Sequence, residues 1–163
     1  MKRILLLILG LGATAAAQRE CNLASVVGTY GVFYSPGWTA IAPGSPVPAP
    51  PGVYPGVYMG VMSIDYNGKP SGAQTMVTVG AIFNFQVVGG KVEINSDCTG
   101  TLQTRLKVKG TNEPPIETVE RIIVLPDQRE IYTITTDTGV AGSQYIGLGV
   151  WKRMSPVPAT ANW

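Results

Sequence analysis

The most regular stretch of the chain is Thr101-Leu102-Gln103-Thr104-Arg105-Leu106-Lys107-Val108. Leu102, Leu106 and Val108 fall on one side of it, and Gln103, Arg105 and Lys107 on the other. A period of two marks a strand with one dry and one wet face. Phe83, Phe85 and Val87 share a face by the same rule, and so do Ile146, Leu148 and Val150. No segment after residue 17 carries a helical period. Eight strands are predicted, at about 28–35, 56–65, 71–79, 81–88, 91–95 running into 99–108, 116–125, 130–137 and 143–152. Ser96-Asp97-Cys98 either interrupts the fifth or turns tightly between two strands, so the count is eight or nine.

The punctuation between these runs is short. Asn67-Gly68 favours the positive φ values of a hairpin turn, and Gly89-Gly90 and Pro126-Asp127 mark further breaks. Connections this short join antiparallel neighbours. One-sided strands must close on themselves or stack, and sequential hairpins favour closure. The expected fold class is all-β: a single antiparallel up-and-down barrel of about eight strands, calycin-like, over residues 18–155, with 156–163 as a C-terminal tail.

Residues 36–55 break the pattern. Seven of the 13 prolines lie there, and proline-rich chain is not expected in a central ladder. The segment also carries Trp38, Ile41, Val47, Val53 and Tyr54. It is therefore read as a long loop across one barrel mouth, either a lid in which Trp38 or Tyr54 packs over the lumen or an outward contact surface.

The first 17 residues read as an export signal. Lys2 and Arg3 precede the apolar run Ile4 to Leu11, and Ala15 and Ala17 supply the small residues of a cleavage site before Gln18. The apolar run is shorter than the roughly 20 residues a membrane-spanning helix needs. The expected location is secreted or periplasmic. In an oxidising compartment, Cys21 and Cys98 are expected to form a disulfide. Lys2 and Arg3 are two of the 12 basic residues, so the mature chain sets 10 against 10 acidic ones. That balance, without a basic run, argues against nucleic acid and against stable membrane insertion as partners.

Three segments carry a resemblance. They are Cys21 with Gly28-Thr29-Tyr30-Gly31, Asp65-Tyr66-Asn67-Gly68 with Ser71-Gly72, and Asn95-Ser96-Asp97-Cys98-Thr99-Gly100-Thr101. Together they resemble a mostly uncharacterised group of small secreted bacterial proteins with a lipocalin-like or allene-oxide-cyclase-like barrel. Gly28-Thr29-Tyr30 is also similar to the Gly-x-Trp of the wider calycin group, with Tyr in place of Trp. That likeness implies a cation from Lys152 or Arg153 over the Tyr30 ring. It supplies no catalytic motif.

The chain has no His, which excludes Ser-His-Asp and Cys-His catalysis and the ordinary zinc sets. No metal or cofactor site is predicted, and no catalytic residue is assigned. Gly147-x-Gly149 falls inside a strand and implies close packing or a bend. Glu117 and Glu120 share the sixth strand but point to opposite faces. Setting Ile116, Thr118, Ile122 and Val124 inward carries Glu120 into the lumen. The opposite setting carries Glu117 and Arg121 there, and a bulge returns both acids to solvent. The leading reading is a non-catalytic secreted barrel that binds a small hydrophobic ligand. Its lumen would be lined by Phe83, Phe85, Leu102, Leu106, Ile134, Ile146 and Leu148, with Glu120 as a polar interior group. The alternatives are a structural or adhesive envelope protein with a filled barrel, and an isomerase or cyclase acting on a hydrophobic substrate.

Overall fold

A computed structural model describes residues 20–41, 43, 50–78, 80–137 and 143–156. The export signal expected at 1–17, most of the 42–51 connection and the tail beyond 156 lie outside the described residues. Eight antiparallel strands close into a barrel in sequence order. They are β1 (Gly28–Ile41), β2 (Gly52–Ile64), β3 (Pro70–Thr78), β4 (Ala81–Ile94), β5 (Thr99–Val108), β6 (Ile116–Val124), β7 (Glu130–Asp137) and β8 (Ser143–Arg153). Closure is made by β1 against β8, from Tyr30 opposite Arg153 to Ile41 opposite Ser143.

Two boundaries differ from the sequence reading. Both ends of the proline-rich segment, 36–41 and 52–55, are ladder, with Gly37, Trp38 and Thr39 pairing with Gly56, Pro55 and Tyr54. Proline is tolerated here for local reasons. Pro36 falls in the register shift between Tyr34 and Gly37, where a bulge leaves residues unpaired. Pro55 lies one residue beyond the last β2–β3 pair, Gly56 with Thr78, so its stretch has a neighbour on one side only. Gly89-Gly90 is not a turn: β4 runs through it, with a register shift between Val87 and Gly89. Gly90 has φ +144°, and a Cβ there would sit 2.1 Å from the Gln103 carbonyl oxygen. The glycine pair therefore bends one strand closely over its neighbour. Ser96-Asp97-Cys98 forms the tight turn, and the count is eight.

The barrel has two different ends. At one, a short N-terminal segment serves as a plug. Asn22 caps a single 3-10 turn, Leu23–Ser25, and Val26 and Val27 are buried behind it. Cys21 is disulfide-bonded to Cys98 in the β4–β5 turn, and its N–H donates to the Ser96 carbonyl. On the opposite side, the Arg153 guanidinium donates to the carbonyls of Ser25, Val27 and Gln128. It also lies 4.8 Å from the Tyr30 ring centroid. The cation over Tyr30 is thus Arg153, and Lys152 faces outward toward Glu130 at 3.5 Å. A contact of this kind is worth about 0.5–2 kcal/mol. At the other end β1 stops at Ile41, β3 at Thr78, β5 at Val108 and β7 at Asp137, and β2, β4, β6 and β8 begin; this is the loop end.

Candidate functional site

Inward-facing residues differ sharply along the barrel axis. Toward the plug the lumen is filled by Tyr30, Met62, Leu102, Ile131, Val124 and Trp151, each nearly inaccessible. Toward the loop end the inward positions on β1, β2 and β8 are Gly37, Thr39, Gly56 and Gly147, with Thr78 and Thr135 from β3 and β7. Larger groups enter from the other strands: Tyr58 and Met76 from β2 and β3, level with Phe83 of β4, and Leu106, Val108 and Ile116 from β5 and β6. An eight-stranded interior is just wide enough for side chains to fill or for one small ligand to occupy. Small residues on the adjacent strands β7, β8 and β1 (Thr135, Gly147, Gly37 and Thr39) favour space on that side of the loop end.

Between these halves a chain of polar groups crosses the lumen. Trp151 Nε1 donates to the Tyr34 hydroxyl at 2.9 Å, and that hydroxyl donates to Glu120 Oε2 at 2.7 Å. Three strands, β8, β1 and β6, thereby meet at one carboxyl group. The Tyr34 ring packs edge-on against Tyr58, with centroids 6.0 Å apart, and Tyr58 stacks on Phe85. Gly149 makes room for this arrangement. A Cβ at 149 would come within 2.5 Å of both Thr133 Oγ1 and the Tyr34 ring.

Burial pushes the Glu120 carboxyl up to about 7, against the hydrogen bond from Tyr34 and the nearby Thr133 hydroxyl, which pull it down. Burial also raises the Tyr34 phenol well above its ordinary value, and the adjacent carboxylate adds to the rise. Thr133 Oγ1 has no partner with full hydrogen-bond geometry, yet its hydroxyl dipole opposes burial at both groups. Tyr34 therefore stays protonated as a donor, while Glu120 changes charge near neutral pH. Thr104 and Thr118 satisfy each other at 2.6 Å. Thr39 Oγ1 is buried with no protein partner, which leaves an unmatched hydroxyl in the loop half of the lumen. Buried polar atoms rarely stay unpaired, so water or a ligand is its natural complement. Among the described residues, no three His, Cys, Asp or Glu side chains come together to hold a metal.

Of the residues named from sequence, Phe85, Leu102, Leu106 and Glu120 are buried in the lumen, and Phe83 packs against that core. The inward setting of Ile116, Thr118, Ile122 and Val124 is the one adopted. The bulge that would have returned both acids to solvent does not do so: β6 shifts register against β7 at Val119/Glu120, but Glu120 remains 5% exposed. Ile134, Ile146 and Leu148 are corrections. They face outward at 41%, 56% and 58% exposure, because Thr133, Gly147 and Gly149 take the inward positions, Thr133 and Gly149 beside the Tyr34 ring. Trp38 is also on the outer wall, paired with Ile146, and does not cover the lumen. Tyr54 stands half-buried at the loop end, its hydroxyl donating to the Pro50 carbonyl at 2.8 Å. Sequence reading missed Tyr34, Trp151, Thr39 and Thr133. The shared parity of Tyr30, Val32 and Tyr34 was the available signal for the first.

Comparison with known proteins returns nothing: no family model, no curated protein and no solved structure matches the chain.

Proposed function

We propose that this is an exported, non-catalytic binding barrel that takes one small amphipathic molecule into the loop half of its lumen. The observation that carries the reading is the contrast within the interior. The plug half is filled, whereas the loop half is lined on β7, β8 and β1 by glycines and threonines and ends on the Glu120–Tyr34–Trp151 chain. The apolar body of a ligand would lie on Phe83, Leu106, Val108 and Ile116. A hydroxyl, carbonyl or amine at its inner end would meet Glu120, and a second polar group nearer the mouth the unmatched Thr39 hydroxyl. This refines the hydrophobic ligand expected from sequence into one with a hydrogen-bonding end. The Cys21–Cys98 disulfide supports export, since such bonds persist in oxidising compartments. The barrel with its Tyr30–Arg153 contact is in keeping with the lipocalin-like resemblance.

Native mass spectrometry of protein purified from its own host tests the reading. A released small molecule, retained less well by Thr39→Val and Glu120→Leu at unchanged fold, is the expected result. Protein that carries no adduct and binds no amphiphile from a mixed library in titration would overturn it. A second reading, a structural or adhesive envelope protein, is favoured by one observation: much of the outer wall is apolar.

A further inference from the structure

The outer wall is divided. Strands β1, β2 and β3 contain no charged residue at all, and β8 contributes charge only at its plug end, with Lys152 and Arg153. On this side Phe33, Trp38, Met59, Ile146, Leu148 and Tyr132 stand between 43% and 58% exposed. They are continuous through the ladder. Phe33 lies opposite Met59 and Val150, Trp38 opposite Ile146, Leu148 opposite Ile134, and Tyr132 opposite Val150. With the flanking valines and isoleucines, the wall exposes on the order of 1,000 Å² of apolar surface, against roughly 300–600 Å² for the largest patch of an ordinary monomer. It also exceeds the roughly 800 Å² that each partner contributes to a stable interface.

We infer that this wall is the interface between two copies of the chain. Three features select a second copy over other occupants. The wall is self-complementary in shape. Its plug half holds a groove of about 850 Å³ over Gly31, bounded by Phe33, Met59, Val61, Tyr132 and Val150, while Leu148 at mid-strand and Trp38 and Ile146 toward the loop end offer exposed apolar side chains to fill it. A two-fold axis brings the bulky half of one copy onto the grooved half of the other, the isologous arrangement of most homodimers. The wall is self-complementary in charge, because Lys152 and Glu130 sit side by side at the groove rim and can exchange partners across such an axis. A bilayer fits less well. A membrane-spanning barrel needs an apolar band all the way round, and the opposite wall carries Arg105, Lys107, Glu117 and Arg121 outward.

Sedimentation velocity of the full secreted chain over a concentration series is the test, beside the variants Leu148→Lys with Met59→Lys and the opposite-wall control Lys107→Gln. The wild type and control are expected to sediment as dimers. The double variant is expected to fall to the mass of one chain, with a dissociation constant weakened by at least about a hundredfold. Thermal melting shows whether each variant is folded. If the double variant does not fold, the single variant Leu148→Glu provides the same readout at smaller amplitude. A wild type that remains one chain at all concentrations would overturn the inference. So would a folded double variant with unchanged mass, or a monomer that binds neutral phosphatidylcholine vesicles. None of these readouts depends on ligand in the lumen, so failure here leaves the proposed binding function standing.

Discussion

The wall of β1–β3 and the wall of β4–β6 belong to one barrel and obey the same alternation, yet they meet their surroundings in opposite ways. Both turn apolar groups inward, such as Tyr30, Val32 and Met62 from the first and Phe85, Leu102 and Ile122 from the second. Outward, β4–β6 present Lys91, Glu93, Arg105, Lys107, Glu117 and Arg121, whereas β1–β3 present Phe33, Val57, Met59, Val61 and Val77. A closed barrel needs only its inner faces to fold. The charged wall is what a solvated barrel requires. The apolar one goes beyond that requirement, and its exposure is best explained by something that covers it.

The largest expected effect concerns the plug, which is tied to both walls by different means. The disulfide holds it to the β4–β5 turn and encloses 77 residues of chain. On the chain-entropy account, its loss in Cys21→Ser with Cys98→Ser lowers stability by about 4–5 kcal/mol. Arg153 holds it to the opposite side by hydrogen bonds to the Ser25 and Val27 carbonyls. Arg153→Met is expected to cost about 1.5–3 kcal/mol. Urea unfolding of both variants ranks the two attachments. An equal loss would mean that the covalent tie adds nothing beyond local packing.

Next comes the link that joins the walls through the lumen, from Glu120 on β6 to Tyr34 on β1. Glu120 has its carboxyl raised from 4.5 to about 7 by burial, so the folded state holds its proton more tightly than the unfolded chain. Its contribution is complete below about 4.5, falls as pH rises between 4.5 and 7, and is flat above that. At 1.36 kcal/mol per pH unit, the fall is on the order of 3 kcal/mol. Glu120→Gln should abolish the slope in that window. Tyr34→Phe removes a donor to the carboxylate and should move the lower-stability plateau to higher pH. Stability that rises through this window in the wild type would refute the assignment to Glu120.

Gly149→Val sharpens the comparison from the other side. Its inward Cβ would meet the Tyr34 ring and Thr133 at 2.5 Å, and overpacking of this kind costs about 1–3 kcal/mol in denaturant unfolding. The neighbouring Leu148→Asn faces outward and, compared at concentrations low enough for both proteins to be single chains, should leave unfolding within about 0.5 kcal/mol. A reversed order would mean that β8 has been assigned to the wrong face.

That pair of residues also shows what the sequence made legible. In β5, Arg105 and Lys107 mark the wet face, so Leu102 and Leu106 could only point inward. In β8 neither face is charged along Ile146-Gly147-Leu148-Gly149-Val150. Bulk suggests that the isoleucine and leucine go inward, but the Tyr34 ring already occupies the space that only a glycine leaves. Which strand brings that ring is a long-range fact that alternation within β8 does not contain. For the same reason Ile134 was expected inside, while for Glu120 the alternation left three settings open, of which the one that places Ile116, Ile122 and Val124 inward is adopted. The proline-rich ladder was hidden because its tolerance of Pro55 depends on where β3 ends. The alternation thus revealed the eight strands and the up-and-down order, but not the inner face of the uncharged ones.

The smallest expected effect lies on the charged wall. Arg105 and Glu117 lie opposite each other in β5 and β6, with Arg105 Nε and Glu117 Oε1 3.7 Å apart and both side chains more than half exposed. In water two such long side chains gain little from meeting, because solvent screens the attraction and holding them together costs rotamer freedom. Exposed pairs of this kind contribute about 0–1 kcal/mol. Arg105→Gln is therefore expected to shift the urea midpoint only slightly, with no change in slope, and raised salt should erase even that difference. It should also leave the sedimenting mass as in the wild type, since this wall takes no part in the interface. A large loss of stability from Arg105→Gln, or a loss of association, would mean that the charged wall is buried by a partner as well. The division of the barrel into one solvated and one covered side would then fail.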